Sequence, residues 1–175
     1  SQAALWAVME ELNIPDVDLL KGLYANATVR LKPGGGQSKD DAEGSTVTFD
    51  TGVAQGSALS PLLFLIFMNT LLRLLTAKGR ELGISHGLEG VDQFNNMAFA
   101  DDLSLFAQST GDMQVLLDEV QKFEAWSGLK VNRDKTCALI AGVKSDTTQQ
   151  RKGLSYNGSA IRILGCGEAC RYLGL

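Results

Sequence analysis

Seven apolar residues in a row, Leu62-Leu63-Phe64-Leu65-Ile66-Phe67-Met68, follow Ser60-Pro61 and limit what this chain can fold into. Serine is a good helix N-cap and proline fits the first helical position, so the pair predicts a helix start with Ser60 as its cap. A helix carrying that run is apolar on every face and has to be covered all round. A membrane span takes about 20 such residues. Here Asn69, Thr70 and Arg73 interrupt the run first. The run therefore predicts a helix buried inside a protein core.

The other elements follow from periodicity. Leu5, Val8, Met9 and Leu12 recur at helical spacing over 2–12, and Asn13 with Pro15 ends that helix. Val17, Leu20 and Tyr24 predict a second helix over 16–25. Thr28–Leu31 and Thr46–Phe49 alternate polar and apolar residues, as half-buried strands do. The segment 33–44 between them reads as a long hairpin loop. It is not a P-loop, because the Lys-Ser/Thr ending is absent. Met113, Leu116, Leu117, Val120 and Phe123 form the stripe of a helix over 112–126, which Gly128 stops. Residues 136–140 read as a buried strand and 144–158 as a polar loop. Residues 160–164 and 171–175 read as two last short strands. This order is an α+β layout.

At 175 residues the chain can build one domain with a real core. A net charge of −4 argues against a self-sufficient nucleic-acid binder, which usually carries a basic face. It does not exclude a catalytic core whose basic parts lie elsewhere. Cys137, Cys166 and Cys170 are an odd set with no secretory signal, which suggests reduced thiols in an intracellular compartment. Cys166 and Cys170 have no second ligand pair, so a structural zinc is not expected. His86, the one histidine, has no obvious partner.

Asp101 and Asp102 stand side by side in Met97-Ala98-Phe99-Ala100-Asp101-Asp102-Leu103-Ser104-Leu105. Both flanks read as strand, which puts the pair at the tip of a hairpin. Adjacent carboxylates repel one another, and a divalent cation is the usual reason to keep them together. Mg²⁺ takes oxygen ligands and is typically held by one or two carboxylates plus substrate phosphates. The plain alternative is a solvated turn, since Asp is a favoured turn residue. A second signal lies in Gly52-Val53-Ala54-Gln55-Gly56-Ser57-Ala58-Leu59-Ser60-Pro61, a glycine-bearing turn ahead of a helix N-terminus. Such an end offers free N–H groups to a phosphate, and Gly56 would let a substrate approach the backbone. Its plain alternative is a loop leading into a helix cap.

These segments together resemble the palm of reverse transcriptases, with the nearest likeness to those of non-LTR retrotransposons and group II introns. In that family a Gln-Gly-x-x-x-Ser-Pro stretch precedes a long helix and a Tyr/Phe-Ala-Asp-Asp hairpin follows. Two more matches come in order: Gly128 to Thr136 resembles Gly-Leu-x-x-Asn-x-x-Lys-Thr, and Tyr172-Leu173-Gly174 resembles the start of the primer-gripping hairpin. The four matches cover nearly the whole chain. The resemblance implies an incomplete polymerase palm, a ferredoxin-like antiparallel sheet backed by helices, with part of the fingers. Residues 1–50 would be helices and a hairpin of palm and fingers, 51–140 the palm core, and 141–175 a loop and the start of the primer grip.

The resemblance also implies roles. Asp101 would ligate the catalytic Mg²⁺ (or Mn²⁺), with Asp102 as the supporting carboxylate. Gln55 and Gly56 would contact nucleotide and template, with Phe99 and Ala100 in the same nucleotide-binding set. Ser60 and Pro61 would position their helix. Lys135 would lie near the triphosphate as a proton donor to pyrophosphate. Tyr172, Leu173 and Gly174 would support the primer end. Partners would be an RNA template, a DNA primer and deoxynucleoside triphosphates, with no membrane, and the setting of a retroelement protein would be nucleus or cytoplasm. A further family aspartate, in an Asp-x-x-x-Ala-Phe strand upstream of the first helix, has no match here. The chain reads as a piece beginning just after it, completed in the parent polypeptide by fingers and thumb segments. The expectation is a polymerase fragment inactive by itself. The rival is a domesticated or decayed palm serving as a scaffold or binding module. A nucleotide cyclase palm fits less well, because those carry Gly-Gly-Asp/Glu-Glu-Phe hairpins and lack the Gln-Gly helix.

Overall fold

The computed structural model describes residues 1–25, 27–30, 46–48, 52–53, 56–84, 94–141, 153–165 and 167–169. Among them the order is α1 (Gln2–Glu11), α2 (Val17–Ala25), β1 (Thr28–Arg30), β2 (Thr46–Thr48), α3 (Ser60–Glu81), β3 (Asn96–Phe99), β4 (Asp102–Leu105), α4 (Thr110–Ser127), a 3₁₀ turn (Arg133–Lys135), β5 (Cys137–Ala138), β6 (Ser155–Tyr156), β7 (Ser159–Ala160) and β8 (Arg162–Ile163). The strands form four two-stranded ladders, β1–β2, β3–β4, β5–β8 and β6–β7. The architecture is mixed helix and strand. The chain divides into two units, Ser1–Phe67 and Met68–Leu175.

In the first unit, Ser1 caps α1 by accepting from the Ala4 N–H. Asn13, at φ 53, closes the other end. Its N–H donates to Glu10 O and that of Ile14 to Met9 O, the paired bonds of a left-handed helix terminus. Leu5, Val8, Met9, Val17 and Tyr24 are buried. Tyr24 stands edge-on to Trp6 at a centroid distance of 5.5 Å. Its hydroxyl lies 3.5 Å from the Ser60 Oγ at the start of α3. The expected hairpin of 28–31 with 46–49 is present as β1–β2, with Thr28 opposite Thr48 and Arg30 opposite Thr46.

Two expectations for α3 need correction. The helix begins at Ser60 rather than after it, and the Leu63 N–H already donates to Leu59 O. Ser60 is therefore a buried residue of the first turn, and Ser57 ahead of it accepts from the Leu59 N–H. Nor is the helix covered on all sides. Leu63, Phe67, Leu71 and Leu75 recur every four residues and are buried, whereas Leu62 and Leu65 are 54% and 57% exposed. Its length and composition would suffice to cross a bilayer, but a third of its most apolar window is buried inside the protein. One packed stripe is what a single apolar neighbour surface provides.

In the second unit the root of β3 is locked to α3. Asn95 is only 2% exposed, and its Nδ2 donates to Leu75 O at 2.6 Å. Asn96 Nδ2 donates to Thr76 Oγ1 at 3.0 Å, and that hydroxyl donates to Leu72 O at 2.8 Å. Space for the Asn95 amide exists because residue 79 is glycine. A Cβ there would stand 2.3 Å from Asn95 Nδ2 and 2.5 Å from its Cγ.

α4 spans Thr110–Ser127, slightly more than expected, capped by Ser109 at one end and by left-handed Gly128 at the other. Beyond it the sequence reading misses an element. Residues 155–160, expected as loop and last strand, form the β6–β7 hairpin around Asn157 (φ 49) and Gly158 (φ 74). An Asn-Gly pair is the usual occupant of such a type I′ turn. Among the described residues β8 runs parallel to β5, with Cys137 opposite Arg162. The strand expected over 136–140 is present only as Cys137–Ala138 and is half-buried. The strand expected over 171–175, His86, Cys166, Cys170 and the loop 33–44 lie outside the described residues.

Gly79→Ala is expected to destabilise the chain by up to about 2 kcal/mol. The overpacking penalty of about 1–3 kcal/mol exceeds the gain of about 1 kcal/mol that alanine brings to a helix. Gly22→Ala in α2, where a Cβ meets nothing within 4 Å, should instead stabilise by about 0.5–1 kcal/mol. Urea unfolding of the two variants checks the opposite signs, and a gain for both would contradict the packing account.

Candidate functional site

The acidic hairpin is built by β3 and β4 in the register Asn96–Leu105, Met97–Ser104, Ala98–Leu103 and Phe99–Asp102. The Phe106 N–H extends it by donating to Asn95 O at 2.9 Å. Only Ala100 and Asp101 remain for the turn. The acid pair is therefore divided: Asp101 occupies the turn, and Asp102 is the first residue of β4, opposite Phe99. The expectation that both sit at the tip holds for Asp101 alone. Both are exposed, so solvent screens their mutual repulsion.

The pairing sorts the hairpin into two faces. Phe99, Met97, Asp102 and Ser104 share one, Ala98, Asn96, Leu103 and Leu105 the other. The Asn96 side bonds to α3. On the Asp102 side, Phe99 and Met97 are 66% and 52% exposed. An acidic edge flanked by open apolar surface can meet a cation and a flat apolar group together. The turn is also strained. Ala100 has φ 50, and the other described non-glycine residues with positive φ are Asn13, Asp16 and Asn157. Asn and Asp tolerate that region, but alanine at such an angle costs about 1–2 kcal/mol. Strain of this kind persists where the surroundings impose it.

Lys135 ends the 3₁₀ turn that follows α4, and it is exposed. Its position in Gly128 to Thr136 has a local cause. Gly128 ends the helix with φ 77 and its N–H donates to Glu124 O. Asn132 then caps the turn, its Oδ1 accepting from the Lys135 N–H at 3.3 Å. The Thr136 hydroxyl donates to Asn132 O at 2.8 Å.

A carboxylate that sequence reasoning passed over holds this segment. Glu124 Oε1 accepts from the Val131 N–H at 3.2 Å. Its Oε2 accepts from the Tyr156 hydroxyl at 2.5 Å and from Asn157 Nδ2 at 3.0 Å. Burial opposes the charge on Glu124, but these three hydrogen bonds, with Lys130 nearby, outweigh it and hold the carboxyl below its ordinary range. Burial, reinforced by the bond to Glu124, pushes the Tyr156 phenol up. The signal for this cluster was legible only in the Asn157-Gly158 turn; Glu124 itself lies among ordinary helix carboxylates.

Of the other expected site residues, Gly56 is exposed at φ 91 with nothing within 4 Å of where a Cβ would stand. It is glycine for its backbone angle and not for lack of room. Pro61 is exposed and Ser60 buried, both in the first unit. Gln55, Tyr172, Leu173 and Gly174 lie outside the described residues. Among the described residues no group of three or more His, Cys, Asp and Glu side chains is placed to hold a metal. The donor set on the hairpin is thus two hard oxygen ligands open to solvent, which fits Mg²⁺ completed by phosphate and water.

Glu124 has an ordinary carboxylate value of 4.5 when unfolded and a lower one when folded. Its contribution to stability is therefore complete above that value and is lost as pH falls through the folded one. Glu124→Gln should cost about 1–3 kcal/mol at neutral pH and flatten the acid limb of stability. Urea unfolding from about pH 6 to about pH 3 measures both, and an unchanged acid limb would count against the role given to Glu124.

Comparison with known proteins bears on all of this. A family model described as reverse transcriptase (RNA-dependent DNA polymerase) matches residues 2–175. The retrovirus-related Pol polyprotein of a type-2 retrotransposable element of Drosophila melanogaster is 33% identical over 182 residues, which covers 100% of this chain and 16% of that protein. The Pol polyprotein of a type-1 retrotransposable element of Nasonia vitripennis is 30% identical over 128 residues, 71% of this chain and 12% of its own length. The chain thus spans under a fifth of the curated relatives it matches. No solved structure matches it. With a family model matched along almost its whole length, the chain belongs to the reverse transcriptase family.

Proposed function

We propose that this chain is part of the palm of a retroelement RNA-directed DNA polymerase of the non-LTR type, whose intact parent extends a primer with deoxynucleoside triphosphates on an RNA template. The observation that carries this reading is the tight β3–β4 turn, which presents Asp101 and Asp102 to solvent beside the exposed Phe99 and Met97. Residues 51–140 would form the palm core and its ferredoxin-like sheet, completed by parts of the parent. The setting would be intracellular.

Nucleotidyl transfer asks for positioned groups and charge neutralisation rather than for a protein nucleophile. Asp101, with Asp102 in support, would hold Mg²⁺, which when bound supplies Lewis-acid polarisation of phosphate oxygens. Phe99 and Ala100 would line the nucleotide's approach to the hairpin, and Gly56 with Gln55 would let nucleotide and template pass close to the backbone. Lys135 would neutralise charge on the departing pyrophosphate and give it a proton. Tyr172, Leu173 and Gly174 would support the primer end.

In the parent polymerase, Asp101→Ala should lower primer extension by about 10²-fold or more, with primer–template binding retained. The isolated chain should extend no primer. Extension by the isolated chain that Asp101→Ala abolishes would overturn the view of it as an incomplete palm. Full activity of the Asp101→Ala parent would overturn the assignment of the site and favour a scaffold or binding module.

A further inference from the structure

Glu124 stands in a closed circuit of contacts. It accepts from the Val131 N–H, four residues before Lys135, and from Tyr156 and Asn157 in the β6–β7 hairpin. The same hairpin returns to the Lys135 turn from its other strand, where Arg133 Nη1 donates to Ser159 Oγ at 3.1 Å. Asn132 closes the turn between those two anchors through its contacts with the Lys135 N–H and the Thr136 hydroxyl. A further tie keeps the hairpin on α4: Gln114 Oε1 accepts from the Ser155 N–H at 2.9 Å and its Nε2 donates to Ser155 O at 3.0 Å. The backbone carrying Lys135 is thus held by side chains along 131–136 and runs on into the short β5–β8 ladder at Cys137.

We infer that Glu124 is a positioning residue for Lys135: by gathering Val131, Tyr156 and Asn157 on one carboxylate, it fixes the 3₁₀ turn at the end of α4 and so sets where the Lys135 ammonium meets the departing pyrophosphate. The inference rests on the role proposed above for Lys135. An exposed lysine on a free loop samples many positions, and proton transfer from a fixed position contributes about 10²–10⁴-fold. Small misplacements of such a group are costly. A neutral amide at 124 has the same shape but one acceptor oxygen in place of two. Glu124→Gln therefore loosens the circuit without emptying its space.

The test is a double-mutant cycle in the parent polymerase, numbered as here, with Glu124→Gln, Lys135→Ala and both. Glu124→Gln should lower kcat for nucleotide addition by about tenfold, with KM for nucleotide and primer–template affinity within about twofold. In the Lys135→Ala background the same change should cost less than about twofold more. Amide exchange at Val131 and Lys135 should quicken by at least about fivefold in Glu124→Gln. Losses that add in full, or a raised KM with kcat intact, overturn the inference. If Glu124→Gln does not fold, Arg133→Gln opens the circuit from the other side and should give the same kcat signature, shared with Lys135; full activity in that variant overturns it too. The wild-type parent and its Asp101→Ala variant separate the two readings. Activity that survives Asp101→Ala refutes the polymerase site, whereas an Asp101-dependent enzyme indifferent to residue 124 refutes only the present inference.

Discussion

A buried amide that has to find a partner governs how the acidic hairpin is presented. Asn95 is almost fully enclosed, and a primary amide without partners in such a place costs about 1–3 kcal/mol. Its Nδ2 reaches Leu75 O in α3, and its Oδ1 accepts from Asn96 Nδ2 at 2.8 Å. Both contacts require the missing side chain of Gly79. α3 thereby gains a notch at Gly79, one turn beyond the Thr76 hydroxyl that holds Asn96, and the strand leading to Asp101 starts from it. Register follows from that root, because Phe106 pairs back to Asn95 and the ladder leaves only two residues for the turn.

The second constraint is the turn itself. With Phe99 opposite Asp102, Ala100 has to take a left-handed angle that alanine disfavours. Asp101 is projected at the tip while Asp102 points with Phe99 and Met97. Two carboxylates adjacent in sequence thus differ in backbone setting. That agrees with unequal duties, one as principal ligand and one as support, in the function proposed for them. In α4, Glu124 does for Lys135 what Asn95 does for the hairpin. In each case a partly or wholly enclosed polar side chain ties a loop-borne functional group to a helix.

How much of this could be read from the sequence depended on how local the cause was. The helices were legible because their apolar spacing and end residues act within a few positions, as at Asn13 and Gly128. The β3–β4 hairpin was legible from its apolar flanks and acidic centre, and the family motifs are what single out Asp101 and Lys135 as candidates. Ser60 was misplaced by one step, since serine before proline fits both a cap and a first turn, and its contact with Tyr24 is tertiary. The β6–β7 hairpin was missed although Asn157-Gly158 announces it, because the surrounding polarity suggested a loop. Asn95, Gly79 and Glu124 were beyond reach. Their roles come mostly from residues 16 to 33 positions away, and no local pattern distinguishes a lone glycine or glutamate in a helix from its neighbours.

The tether between Asn95 and α3 is the claim on which the geometry of the acid pair rests, and amide hydrogen exchange measures it directly. In Asn95→Ala, the Phe106 N–H should lose protection by about 10–100-fold, in keeping with one lost buried hydrogen-bond network. The amides of Leu116 and Val120 in α4 should keep theirs. Unchanged protection at Phe106 would mean that the hairpin is set by its own pairing and that the amide notch in α3 does not hold it. An equal loss throughout the second unit would mean that Asn95 supports the fold as a whole rather than the presentation of Asp101.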